Sequence, residues 1–129
     1  MPKKVLLVDD SLTTRMTNRT IIARRTGHDV VCAANGAEAL KLVGSEHPDL
    51  VLMDVMMPGM DGYETIKELR KKEHFRKLAV IALTAKAMKG DREKCMEAGA
   101  SDYIAKPVDV EKLLSLMRVW LYRGETQVN

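Results

Sequence analysis

The sequence predicts one α/β domain built on a five-stranded parallel sheet. Three observations predict it. Five short strand candidates punctuate the chain: VLLV (5–8), DVVCA (29–33), LVLM (50–53), LAVIAL (78–83) and SDYIA (101–105). The stretches between them carry helical spacing, and strands alternating with helices of about 10 to 15 residues imply βαβ units and a parallel sheet. The 129 residues suffice for one domain with one core, and the five-stranded layer fills them with no repeat, linker or low-complexity segment.

Taken in order, the first apolar run ends at Asp9-Asp10. Ser11 then offers an N-cap for a helix running to about Arg25. Leu12, Met16, Ile22 and Ala23 can form its stripe, although Thr17, Asn18, Arg19 and Thr20 interrupt it. Thr26-Gly27 stops it. After the second strand, Asn35-Gly36 opens a helix through about Val43, with Ala37, Ala39, Leu40 and Val43 at helical spacing and Gly44 expected to end it. The third run, LVLM, closes on Asp54 and a Pro58-Gly59 turn, then Asp61-Gly62. A short apolar run bounded by turn residues reads as a strand buried on both faces. Residues 63–72 form the third helix, with Tyr63, Ile66 and Leu69 on one face. The fourth strand ends at Thr84, and a helix over roughly 91–98 is closed by Gly99. The fifth strand ends at Lys106-Pro107. The last helix spans about 109–122, and the remainder reads as a frayed tail. The expected division is a domain over 1–123 with a short flexible tail over 124–129.

Composition removes several function classes. Twenty-one Lys and Arg against 18 Asp and Glu give a net charge of +3. That is too mild and too scattered for a nucleic-acid footprint. No stretch approaches the roughly 20 apolar residues that span a bilayer, and the four apolar residues before Asp9 are too few for a signal peptide. A cytoplasmic location is the expectation. Cys32 and Cys95 lack metal-ligand spacing and have no His nearby, so both read as small buried hydrophobes.

The strand ends carry the chemistry. In a parallel sheet they share one edge, where open α/β folds bind ligands. The first strand delivers Asp9 and Asp10 there, the third Asp54, the fourth Thr84 and the fifth Lys106. Singly, Asp54 could cap its loop, Thr84 could bond backbone and Lys106 could be a solvated lysine. Their joint placement at four separate strand ends points to a site. Like charges about 4 Å apart repel by around 4 kcal/mol at an effective dielectric near 20. Either one acid stays protonated or a cation neutralises the group. Hard oxygen ligands without thiol or imidazole suit Mg²⁺. With the ion in place, Asp54 can act as a carboxylate nucleophile on a phosphoryl group. The Lys106 ammonium and the Thr84 hydroxyl then face phosphate oxygens, since phosphoryl transfer asks mainly for positioning and charge neutralisation.

With VLLVDDS, LVLMDVMMPGMDGYE, IALTA and GASDYIAKP in this order, the chain resembles the CheY-like receiver domain of bacterial two-component response regulators, over about residues 4–120. The resemblance implies a flavodoxin-like (βα)5 fold with strand order 2-1-3-4-5. It implies phosphorylation of Asp54 by a histidine kinase or phosphotransfer protein, in a Mg²⁺-dependent reaction. Asp10 and Asp54 would touch the ion directly, Asp9 mainly through water, and Met56 through its backbone carbonyl. Thr84 is similar to the family's switch hydroxyl, Lys106 to its phosphate-binding lysine, and Tyr103 to its switch aromatic. Tyr103 reads equally well as an ordinary aromatic of a short edge strand. Lys106-Pro107 would be a cis peptide. Met56 and Lys86 would flank the route by which water reaches the acyl phosphate, so their substitution would change its lifetime. The output surface would be the fourth helix, fifth strand and fifth helix. That face is expected to carry Lys86, Lys89, Arg92, Lys94 and Arg118, which suits an acidic partner. The stretch 82–107 is similar to receivers attached to hybrid histidine kinases. The chain therefore reads as a single-domain regulator or as a receiver of a longer protein, acting as a monomer or as a phosphorylation-dependent dimer. The family usually shows a stronger apolar stripe on the first helix, which commonly meets the phosphodonor.

Three competing functions fit the residues less well. An aspartate-nucleophile phosphohydrolase usually carries Asp-x-Asp, but here Asp54-Val55-Met56 lacks the second acid and there is no cap insertion. A flavin carrier needs a first loop rich in Ser, Thr and Gly, whereas Asp9-Asp10 would repel phosphate. A degenerate, docking-only receiver would not keep every key residue. The expectation is a phosphoacceptor that assists its own phosphorylation and dephosphorylation, not a classical enzyme.

Overall fold

The computed structural model describes residues 2–57, 61–84 and 89–126, with backbone only at 89 and 123–126. The expected Pro58-Gly59 turn and Lys86 lie outside the described residues. The elements run β1 (Lys4–Val8), α1 (Leu12–Thr26), β2 (Asp29–Ala33), α2 (Gly36–Glu46), β3 (Leu50–Asp54), α3 (Gly62–Lys71), β4 (Ala79–Thr84), α4 (Lys89–Ala98), β5 (Asp102–Ala105) and α5 (Val110–Thr126). A 3-10 turn at Glu73–Phe75, not foreseen in the sequence, joins α3 to β4.

All neighbouring strands pair in parallel, in the order β2-β1-β3-β4-β5. This is the flavodoxin-like order. Side chains alternate across each strand, so the sheet builds two apolar layers. Leu6, Val8, Val51, Met53, Val80 and Ala82 face one way, under α2, α3 and α4. Val5, Leu7, Leu50, Leu52, Ile81 and Leu83 face the other, under α1 and α5. Helices on both faces explain why β3 and β4 are buried along their whole length.

Most helix ends follow their capping residues. Ser11 accepts the Thr14 N–H at 3.3 Å, Asn35 accepts that of Glu38 at 2.8 Å, and Asp61 accepts that of Glu64 at 2.9 Å. Gly27 closes α1 at φ 74°. Gly44, expected to end α2, lies inside it. The left-handed cap is His47 at φ 50°, whose N–H reaches the Val43 carbonyl. A glycine within a helix costs only about 1 kcal/mol relative to alanine, so it need not end one. Likewise α5 runs past Tyr122 to Thr126. Of the four residues expected to form the α1 stripe, only Ile22 is buried. Leu12 and Met16 are exposed. Cys95 is buried as expected, but Cys32 is only half-buried, and both are free thiols.

Candidate functional site

Strand register brings the site together. Val8 stands opposite Met53, Asp54 opposite Leu83, and Thr84 opposite Ala105. Asp54 and Thr84 are therefore the last residues of their strands, and Asp9 and Lys106 the first beyond theirs. Three backbone bonds carry the pairing into the loops: Asp9 N–H to the Ala33 carbonyl at 3.1 Å, Val55 N–H to Leu83 at 3.1 Å, and Lys106 N–H to Thr84 at 2.7 Å. The Lys106-Pro107 peptide is cis.

Carboxylate oxygens of Asp9, Asp10 and Asp54 lie within 4.8 Å of one another. Asp9 and Asp54 are buried while Asp10 is exposed at the rim. The Lys106 ammonium stands 3.2 Å from Asp54 Oδ2, and the Met56 N–H donates to Asp54 Oδ1 at 2.9 Å. Asp9 Oδ1 accepts the Ser11 N–H at 2.9 Å. Its other oxygen, Oδ2, is the single buried side-chain polar atom without a partner among the described residues. Burial pushes the Asp9 carboxyl above its ordinary range. The Ser11 N–H and Lys106 oppose that, and the Asp54 and Asp10 charges add to it. One ammonium cannot balance three carboxylates, and a buried carboxylate oxygen without a partner is costly. A hard divalent ion such as Mg²⁺ fits this donor set, which contains only oxygen.

Thr84 is buried and Tyr103 half-buried. The Arg92 guanidinium stands over the Tyr103 ring at 5.8 Å. The Met56 side chain is 60% exposed, which leaves its backbone at the site and its thioether outside. One residue escaped the sequence reading: Arg15 donates from Nη1 to the Asp9 carbonyl at 2.7 Å. The available signal was its spacing from Ser11, four residues on along the same helix face.

The basic output face needs correction. Lys94 lines a groove against α3 with Asp61, Glu64 and Glu97, and its ammonium stands 5.9 Å over the Tyr63 ring. Arg118 lines a groove against α1 with Arg25 and His28. Of the five cations, Lys86 lies outside the described residues and the Lys89 side chain is not described. Only Arg92 stands beside Tyr103. Helical spacing placed these residues on an element without saying which side of it each would face.

A five-stranded sheet in this order, with acids and a lysine gathered at its carboxyl edge, defines the receiver class. Residues 5–118 match the response regulator receiver domain, and the chain belongs to that family. It is 37% identical over 121 residues to the polar-differentiation response regulator DivK of Brucella anthropi, covering 94% of this chain and 98% of that protein. Among solved structures it is similar to the receiver domain of the sensor histidine kinase PA1611 of Pseudomonas aeruginosa, which has a magnesium ion coordinated in its active site cleft. The TM-score is 0.85 at 35% identity, over 94% of this chain and 98% of that one. The chemotaxis response regulator CheY4 of Vibrio cholerae gives a TM-score of 0.86 at 30% identity, over 94% and 100%.

Proposed function

We propose that this receiver is a phosphorelay switch whose phosphoacceptor is Asp54. The observation that carries the reading is the setting of that carboxylate: buried at the end of β3, 3.2 Å from the Lys106 ammonium, and within 4.8 Å of two further acids. A histidine kinase or phosphotransfer protein serves as donor. An Asp54 oxygen attacks the phosphorus, the donor N–P bond breaks, and an acyl phosphate forms. Mg²⁺, when bound by Asp9, Asp10, Asp54 and the Met56 carbonyl, neutralises the negative charge that the acids and the incoming group share. Lys106, now next to Asp54, is placed to follow a phosphoryl oxygen. Thr84 supplies a hydroxyl at the neighbouring strand end.

The phosphoryl group biases a two-state equilibrium through Thr84 and Tyr103, and the surface of α4, β5 and α5 changes its affinity for a protein partner. Phosphorylation-dependent dimerisation is one form that change can take. The receiver extends through α5, which ends at Thr126 rather than before a tail at 124, and the protein works in the cytoplasm. Among the described residues no helix is long and apolar enough to cross a membrane.

The test is labelling with acetyl phosphate, with and without Mg²⁺, of wild type and Asp54→Asn. Labelling of wild type alone, and only with Mg²⁺, is expected. Equal labelling of Asp54→Asn would overturn the assignment.

A further inference from the structure

The loop between β1 and α1 carries two of the clustered acids, Asp9 and Asp10, and holds them very differently. Asp9 is bonded at three points. Its N–H donates to the Ala33 carbonyl at 3.1 Å, its Oδ1 accepts the Ser11 N–H at 2.9 Å, and its carbonyl accepts the Arg15 guanidinium at 2.7 Å. Asp10 is exposed, and its carboxylate takes no hydrogen bond among the described residues. The backbone on either side of Asp10 therefore sets its direction, and Arg15 holds both sides. The Arg15 N–H donates to the Ser11 carbonyl at 2.9 Å. Its Nη1 holds the Asp9 carbonyl, which belongs to the peptide plane leading into Asp10. The reach follows from helix geometry: Cα–Cβ bonds tilt toward the N-terminus, so a residue one turn into a helix covers the loop before it. Arg15 is the fourth residue of α1, whose first turn contains no acid. A cation there opposes the helix dipole, so what Arg15 contributes comes from the bond to Asp9.

We propose that Arg15 is a positioning residue for the cation site: by bracketing Asp10 it fixes the rim carboxylate, and so gives the site a preference for Mg²⁺ over a larger ion. The inference rests on the reading of Asp54 as a phosphoacceptor with a divalent ion beside it. Mg²⁺ demands near-octahedral geometry at about 2.0–2.1 Å, whereas Ca²⁺ accepts looser arrangements at about 2.3–2.6 Å. Asp9 and Asp54 are buried, so packing restrains them. Asp10 has only its loop. Without the guanidinium the peptide between Asp9 and Asp10 loses the side-chain bond that fixes its plane, and the Asp10 carboxylate swings with it. Loosening one ligand in this way costs Mg²⁺ more than Ca²⁺. The charge of Arg15 acts in the other direction, because removing a cation near the acids favours the binding of any cation. Geometry and charge thus predict opposite signs for the same substitution.

The experiment follows amide shifts by NMR while Mg²⁺ or Ca²⁺ is titrated into wild type, Arg15→Met, Arg19→Met and Asp54→Asn. Methionine keeps much of the apolar stem and removes the guanidinium. Arg19 is exposed, one turn further along α1, and bonds no loop residue among those described, so its substitution removes a like charge alone. Arg15→Met is expected to bind Mg²⁺ roughly tenfold more weakly than wild type, the low end of what losing a residue behind a metal ligand costs. Its Ca²⁺ binding should weaken by less than about threefold. Arg19→Met should bind both ions within about twofold of wild type. Any unfolded fraction in a variant scales both affinities alike, so the ratio of Mg²⁺ to Ca²⁺ affinity reads the geometry of the folded site, which a merely structural role would not move. Mg²⁺ binding by Arg15→Met as tight as wild type, or tighter, overturns the proposal. So does equal weakening for the two ions, or an Arg19→Met that loses as much Mg²⁺ affinity. No Mg²⁺ binding by wild type, or binding by Asp54→Asn as tight as wild type, would strike the reading of Asp54 first, and the proposal with it.

Discussion

Asp9 is placed where a carboxylate is least comfortable. It is 1% exposed, its Oδ2 has no partner, and two other acids share its surroundings. Burial, first of all, raises its pKa in the folded chain. A carboxyl so raised binds its proton more tightly folded than unfolded. In the metal-free protein stability is therefore lost as pH rises from the unfolded value, about 4, through the folded one. Asparagine keeps the shape and removes the charge. Asp9→Asn should be more stable than wild type by about 1–2 kcal/mol in EDTA at neutral pH. It should also show a flatter pH profile above about pH 4. Urea unfolding across that range measures both, and a variant no more stable than wild type would refute the account. That Asp9 belonged to a charged cluster was legible in the sequence, because strand ends of a parallel sheet share an edge. That one of its oxygens would be buried without a partner was not. It follows from how Ser11 and Arg15 grip the other oxygen and the carbonyl of the same residue.

Among the elements, α3 is the one whose attachment the sequence hides. Its apolar face, Ile66 and Leu69, is plain from spacing, and both side chains are buried. Its C-terminal anchor is Arg70, which had no apolar period to reveal it. The guanidinium donates to the Gly99 carbonyl at 2.8 Å, to that of Phe75 at 2.5 Å, to that of Arg76 at 3.2 Å and to the Ser101 hydroxyl at 3.4 Å. Ser101 in turn bonds Val80 through both its hydroxyl and its N–H. One side chain thus ties the end of α3 to the turn after α4 and the start of β4. Partners as far away as Gly99 carry no local signal. Gly99 itself was legible as a helix stop, and it sits at φ 111° with Arg70 against the space a Cβ would fill. A lysine has the charge but not the planar fork. Arg70→Lys should lower unfolding free energy by about 2 kcal/mol, since several carbonyls lose a donor at once. A urea midpoint equal to that of wild type would show that the clamp carries no stability.

For the molecule as a whole, alternation and burial were enough to foresee a parallel α/β sheet with chemistry along one edge. They do not order the strands, and the order here was inherited from resemblance to a family. They also do not say which side of a helix a surface cation takes, which is why Lys94 and Arg118 fell on the wrong faces. What sequence and structure agree on is that folding this sheet forces Asp9, Asp10 and Asp54 together. Folding therefore creates a cation site that the unfolded chain lacks, and an ion that binds only the folded state must stabilise it. At a hundredfold excess over its dissociation constant the gain is about 2.7 kcal/mol. Saturating Mg²⁺ should raise the urea midpoint of wild type with no change in the slope, because the same surface is exposed on unfolding. EDTA should reverse the shift, and Asp54→Asn should lose most of it. If Mg²⁺ leaves the wild-type midpoint where EDTA puts it, the acids at the sheet edge do not form a magnesium site. The proposal that such an ion balances their charge then fails with them.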